Sequence, residues 1–175
     1  MKKLMNRKAL ITGASSGIGK AVACLFAEEG AEVAINYPNI AQKENADAVV
    51  ARIINDGGHA ITIRADVSKA DENASMVEQF LSQFGNIDIL VNNAGIGGQG
   101  LALLDIDVET FDSMFDVHVR GAFFATQAVL PGMKDRRAVT RQWVSVPVAA
   151  EKRLDQVETR AIRVLKSARH KNKLK

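Results

Sequence analysis

The sequence predicts an α/β fold in which a doubly wound parallel sheet carries helices on both faces, and three observations point to it. Short strand-like runs alternate with longer helical patterns from the amino end onward, the order that produces right-handed crossovers and parallel pairing. A glycine-rich turn joins the first strand to the first helix. Ile87-Asp88-Ile89-Leu90-Val91 is nearly apolar throughout, as a strand covered on both faces should be.

The elements follow in order. Arg7-Lys8-Ala9-Leu10-Ile11 reads as the first strand and runs into Thr12-Gly13-Ala14-Ser15-Ser16-Gly17-Ile18-Gly19. That turn opens a helix carrying Val22, Leu25 and Phe26, which Gly30 ends. Glu32-Val33-Ala34-Ile35-Asn36 is the second strand, and a helix over Ala46 to Ile54 places Val49, Val50, Ile53 and Ile54 on one side before Gly57-Gly58. Ala60-Ile61-Thr62-Ile63 is the third strand. Ser68 with Asp71 three residues on has the spacing of a capping box, and it predicts the start of a helix with Met76, Val77, Phe80, Leu81 and Phe84 as its buried stripe. Gly85 closes that helix, and strand four follows. A long helix is predicted from about Asp107 to Leu130, with Pro131-Gly132 as its stop.

Composition limits the function classes. With 175 residues, 47% hydrophobic and 25% charged, one globular core is expected. No apolar run approaches the length of a membrane span, and the start is too short in apolar residues for a signal peptide, so a cytoplasmic protein without membrane contact is expected. The single cysteine, Cys24, forms no internal disulfide and has no ligand neighbours at metal spacing; it reads as a small core residue, and no metal site is expected.

The glycines at 13, 17 and 19 let backbone N–H groups and the positive end of a helix approach a pyrophosphate, and Asn92-Asn93-Ala94-Gly95 follows strand four on the same side of such a sheet. Thr-Gly-x-x-x-Gly-x-Gly at 12–19, Asp66-Val67 after strand three and Asn-Asn-Ala-Gly at 92–95 resemble the short-chain dehydrogenase/reductase family over about residues 5–136. The resemblance implies a Rossmann-like sheet, truncated here after four or five strands, and a nicotinamide dinucleotide as partner. It places the pyrophosphate over Ser16, Ile18 and Gly19, with Gly13, Ser15 and Gly17 also among the cofactor-binding residues of that turn, adenine between Asp66 and Val67, and the ribose and nicotinamide side beside Asn92, Ala94 and Gly95. A carboxylate ending strand two would select NAD by holding the ribose hydroxyls. This chain has Asn36, with Ser15 or Ser16 in reach of a 2′-phosphate but no adjacent Arg or Lys, which leans toward NADP over NAD.

Active members of the family use a tyrosine as general acid/base, a lysine four residues later and an upstream serine. The only tyrosine here, Tyr37, follows strand two, and the residue four on is Ala41. His118 stands where the family carries an asparagine on the long helix, and it is the one candidate catalytic residue; the alternative is a packing residue beside Phe111, Phe115 and Ala122. The resemblance therefore implies descent from an oxidoreductase of small alcohols or carbonyls, with cofactor binding retained and catalysis incomplete. An active enzyme with non-standard residues is the rival reading. The family's homo-oligomer would place the long helix at an interface, though its usual neighbour helix is absent.

Two parts are expected: a dinucleotide-binding domain over 1–136 and a basic tail over 137–175. Residues 1–136 hold 12 Lys/Arg against 17 Asp/Glu, whereas residues 137–175 hold 11 against 3. Gln142 to Val146 suits a strand, but Pro147 makes Ser145 a poor substrate-orienting serine. From Glu151 to about His170, Leu154, Val157, Ala161, Leu165 and Ala168 recur at helical spacing opposite a basic face. Such a helix suits nucleic acid or an anionic surface. A reading-frame shift or recombination near codon 136 is the favoured origin, which leaves nucleic acid a disfavoured partner.

Overall fold

A computed structural model describes residues 2–97 and 101–135. Four strands, β1 (Lys8–Ile11), β2 (Glu32–Tyr37), β3 (His59–Arg64) and β4 (Ile89–Val91), form one sheet of order β3-β2-β1-β4. Every pairing is parallel, with Leu10 aligned to Ala34 on one side and to Leu90 on the other. The strand order reverses between β1 and β4, so their carboxyl ends open the crevice where such sheets bind ligands. The α/β doubly wound architecture is the predicted one.

Helices cover both faces. α1 (Gly17–Glu28) and α2 (Lys43–Asn55) bury Val22, Phe26, Val49 and Ile53 against Ala9, Ile11, Val33 and Ile35. On the other face, α3 (Ala70–Phe84) sets Met76, Val77 and Phe80 against Leu10, Ala34 and Leu90. Alternate strand residues thus feed alternate cores, which is why β1 and β2 read as unbroken apolar runs. Phe80 is fully buried and meets Phe84 edge-on with ring centroids 4.9 Å apart. Phe80→Ala should lower unfolding free energy by about 3–5 kcal/mol through lost transfer energy and a cavity. Urea denaturation would show this as a lower midpoint at unchanged slope.

Several local expectations are corrected. Ile54 is 52% exposed, because α2 turns its Ala46-Val49-Ile53 stripe inward and leaves Ile54 beyond it. α3 begins at Ala70 with Lys69 as its cap and no side-chain capping bond, so Ser68 and Asp71 make no capping box. Ser68 instead gives both its N–H (3.0 Å) and hydroxyl (2.7 Å) to Asp66 Oδ1, a tight turn that competes with the cap. Gly85 closes α3 with φ at +76°, as its sequence position suggests.

The long helix has three parts: α4 (Val108–Phe115), a π-helical turn (Asp116–Gly121) and α5 (Ala122–Asp135). Asp107 caps α4 by accepting the Thr110 N–H at 2.8 Å, and that bond holds its carboxyl below the ordinary range. Pro131 lies inside α5 instead of ending it. It sits on the exposed side, where water can take the carbonyl that proline's missing N–H leaves unpaired. The residues expected to form a fifth strand and a basic helix, including Ser145, lie outside the described residues, as does the domain division at 136/137.

Candidate dinucleotide site

The site begins with Thr12, whose position at the end of β1 lets it knit two loops together. Its hydroxyl donates to the Val91 carbonyl (3.3 Å) and accepts the N–H groups of Asn93 and Ala94, both at 3.0 Å. The Asn93 side chain returns the contact, its Nδ2 donating to the Thr12 carbonyl at 2.9 Å and the Gly13 carbonyl at 3.0 Å. All five polar bonds are buried or partly buried, where an unmade bond is costly. The glycine turn and the 92–95 loop are therefore held as one rigid lip over the β1/β4 crevice.

Two glycines are needed there for different reasons. Gly13 has φ at +61°, and a Cβ on it would meet the Ala94 Cα at 2.7 Å. Gly17, with φ at +54°, has nothing within 4 Å of where a Cβ would stand, so the space above the start of α1 is open. Ser16 precedes α1 and makes no side-chain capping bond. The first-turn N–H groups have no partner within the helix and face that opening, with the positive helix end behind them. Ser16 and Gly17 are exposed and Ile18 is half-buried, whereas Ser15 is buried with its hydroxyl 3.4 Å from Gln42 Oε1.

Asn36 does something other than line a ribose pocket. It is buried, its Oδ1 accepting the Gly13 N–H (3.1 Å) and its Nδ2 donating to the Ile63 (3.3 Å) and Ala65 (2.9 Å) carbonyls. Its amide is committed inward, and it positions the glycine turn. Sequence spacing hid a second fact: Arg64 pairs in register with Tyr37, so an exposed cation stands at the carboxyl edge beside the end of β2. Linear adjacency found no Lys or Arg there, because the neighbour comes from another strand.

Asp66 keeps Oδ1 on its own turn, and its N–H donates to Glu72 Oε2 at 2.7 Å. That N–H, and then the Lys69 ammonium, hold the Glu72 carboxyl below its ordinary range. Val67 is buried, and its carbonyl accepts from Asn73 Nδ2 at 2.6 Å. Gly121 in the π turn lies so close that a Cβ there would sit 2.9 Å from Val67 Cγ2. This contact brings the long helix to the mouth of the crevice.

A cleft at that mouth is lined by Thr12, Val67, Asn92, Ala94, His118 and Gly121 among others. Asn92 Nδ2 donates to the Thr126 hydroxyl (3.2 Å), which itself donates to the Ala122 carbonyl (2.7 Å). His118 is half-buried, with Nε2 lying 2.7 Å from the Ile96 carbonyl oxygen and 3.2 Å from the Ile96 nitrogen. One ring nitrogen serves only one of the two, and the shorter contact assigns the proton to Nε2, donating to the carbonyl. His118 lies in the π turn, and Phe111 and Phe115 on the preceding helix are both about half exposed. Gly95, next to Ala94, is half-buried at the same rim.

Cys24 is buried, and burial raises its thiol pKa, in keeping with a core residue. Among the described residues, no group of His, Cys, Asp or Glu stands where it could hold a metal ion, and no helix is long and apolar enough to cross a membrane.

Comparison with known proteins agrees with this geometry. The short chain dehydrogenase family model matches residues 7–140. A 3-oxoacyl-(acyl-carrier-protein) reductase FabG of Staphylococcus epidermidis is 42% identical over 134 residues, covering 77% of this chain and 54% of its own length. A short-chain type dehydrogenase/reductase from Mycobacterium marinum is 41% identical with a TM-score of 0.70, over 76% of this chain and 52% of that one. A short chain dehydrogenase from Burkholderia cenocepacia, solved in complex with NADP, is also 41% identical, with a TM-score of 0.68 over 74% of this chain and 52% of that one. The chain spans about half the length of the curated relatives it matches. A second model, of tRNA pseudouridine synthase D (TruD), matches residues 107–175, which is under half the chain and includes the helices α4 and α5 already built into this fold. The matched span, the parallel sheet and the locked glycine turn agree, and the chain belongs to the short chain dehydrogenase family.

Proposed function

We propose that this chain binds a nicotinamide dinucleotide at the carboxyl ends of β1 and β4 and, as a 175-residue chain, does not transfer hydride to or from an alcohol or carbonyl. The observation that carries the binding half is the open start of α1: unpaired first-turn N–H groups, a clear space at Gly17, and a lip fixed by Thr12 and Asn93. These residues fit a pyrophosphate, with Ser16, Gly17, Ile18 and Gly19 as the cradle and Asp66, Val67, Asn92, Ala94 and Gly95 along the groove. When bound, such a group supplies a hydride donor or acceptor. The chain's own residues supply orientation. The NADP held by the Burkholderia relative supports the same class of ligand here.

NADP is favoured over NAD. The end of β2 offers no carboxylate to hold a ribose diol, Asn36 is turned inward, and Arg64 brings a positive charge to the neighbouring strand end. A phosphate gains from that charge and loses nothing to repulsion. His118 takes a supporting part, holding the Ile96 backbone at the groove's rim.

Thermal unfolding tests this reading. NADPH at roughly 100 times its Kd should stabilise the fold by about 2.7 kcal/mol, a rise of several degrees in Tm, and NADH at equal concentration should give less. No shift with either nucleotide would overturn it.

A further inference from the structure

Asn73 is a polar residue in an apolar place. It lies near the start of α3, on the stripe that continues as Met76, Val77, Phe80 and Phe84, and it is fully buried. A valine or leucine there would extend the stripe without desolvating an amide. Asparagine also favours caps and turns over helix interiors. Among the described residues, its Oδ1 is the one buried side-chain nitrogen or oxygen without a hydrogen-bond partner. The residue therefore costs the fold something, and a local rule broken at a cost points to a functional place.

The amide holds the loop after β3. Nδ2 donates to the Val67 carbonyl at 2.6 Å and to the Lys69 carbonyl at 2.8 Å, and turning the amide over would set an oxygen against both. The Lys69 carbonyl has a second donor in the Asn73 N–H at 3.1 Å, whereas the Val67 carbonyl takes its bond from the side chain. Glu72, the residue before, accepts the Asp66 N–H at 2.7 Å. Two consecutive residues of α3 thus grip two consecutive residues of the loop. Gly121 of the π turn closes on the same peptide, since a Cβ there would meet the Val67 carbonyl oxygen at 3.0 Å.

Val67 lines the cleft at the strand ends. We propose that Asn73 is a positioning residue: by fixing the Val67 peptide it sets the wall against which the adenine ring of the cofactor lies. This rests on the dinucleotide reading above. With the 2′-phosphate ribose at the end of β2 beside Arg64, the base joined to that ribose falls against the loop after β3, where Val67 is the apolar surface for a planar ring. Asn73 then contributes to affinity for the adenosine half of the cofactor and not to the grip on the pyrophosphate.

Two substitutions test it. Asn73→Val restores the apolar stripe, and Asn73→Thr keeps a hydroxyl that reaches the carbonyl four residues back, at Lys69, but not that of Val67. Either should weaken NADPH and adenosine 2′,5′-bisphosphate by the same factor, about tenfold, while the ligand-free Tm stays within a few degrees. In the ligand-free chain, amide exchange should quicken severalfold at Ser68 and Lys69, whose N–H groups are bonded to Asp66, and stay unchanged from Met76 to Phe80. A residue that merely stabilised α3 would change both segments, and that result would overturn the proposal. So would weakened NADPH with the bisphosphate unaffected, N73T binding like the unaltered chain, or loss of folding in both variants. If the unaltered chain binds both ligands and the variants bind them equally well, the role of Asn73 falls and the dinucleotide reading stands. If the unaltered chain binds neither, the dinucleotide reading falls and takes this one with it.

Discussion

Supplied with NADPH or NADPH's oxidised partner and a panel of ketones, aldehydes and secondary alcohols, the purified chain is expected to show no turnover above background. Reducing a ketone places a hydride on carbon and a proton on oxygen, and the proton needs a donor within hydrogen-bond reach. A positioned acid or base of this kind contributes roughly 10²–10⁴ in rate. The only phenol in the chain, Tyr37, is 6% exposed, sits at the end of β2 and packs into the core under α1 and α2. β1 separates β2 from β4, so the end of Tyr37's strand is two strand spacings, about 10 Å, from that of the strand leading to Asn92.

Among the described residues, His118 is the one titratable side chain lining the cleft, and its Nε2 is engaged by the Ile96 carbonyl. A small measured rate would therefore have a simple arbiter. If turnover belongs to this chain, His118→Ala should abolish it, and the incompleteness argued above would be wrong. If the rate persists in H118A and disappears with further purification, it came from a contaminant. Cofactor binding should survive in either case, since the glycine turn does not touch His118.

What the sequence revealed and what it hid divide along a physical line. Periodicity and turn chemistry are local, so the strand–helix alternation, the stripe of Met76, Val77, Phe80 and Phe84, and the positive-φ glycines at 13, 17 and 85 were legible. Relations across the sheet were not. Asn36 looked like a ligand residue because it ends an apolar strand, yet its amide is consumed by three backbone groups that only β3 and the glycine turn bring near. Arg64 became a neighbour of Tyr37 through strand pairing. The π turn and the helical Pro131 escaped because both depend on where the long helix rests against Val67 and α3, a tertiary demand that overrides propensity.

Gly19→Val is expected to prevent stable folding, and Gly17→Ala to spare the fold while removing cofactor binding. A Cβ at position 19 would lie 2.4 Å from Asn93 Nδ2, 2.6 Å from the Gly13 carbonyl oxygen and 2.8 Å from the Ala14 Cα. Two of those are backbone atoms at the end of β1, so relief requires α1 to move off the sheet or the lip to open. Opening it breaks the Asn93 bonds to the Thr12 and Gly13 carbonyls. Overpacking costs about 1–3 kcal/mol, and each buried group left unpaired adds about 1–3. The sum rivals the roughly 5–15 kcal/mol that holds a typical domain together. Position 17 is the contrast: nothing lies within 4 Å, and the penalty is the left-handed backbone alone, about 1–2 kcal/mol. The methyl group would instead occupy the space a phosphate must enter. Soluble yield, circular dichroism and the NADPH-induced rise in Tm separate the two. A folded G19V chain would mean that α1 tolerates displacement from β1, and an undiminished Tm rise in G17A would move the pyrophosphate away from the start of α1.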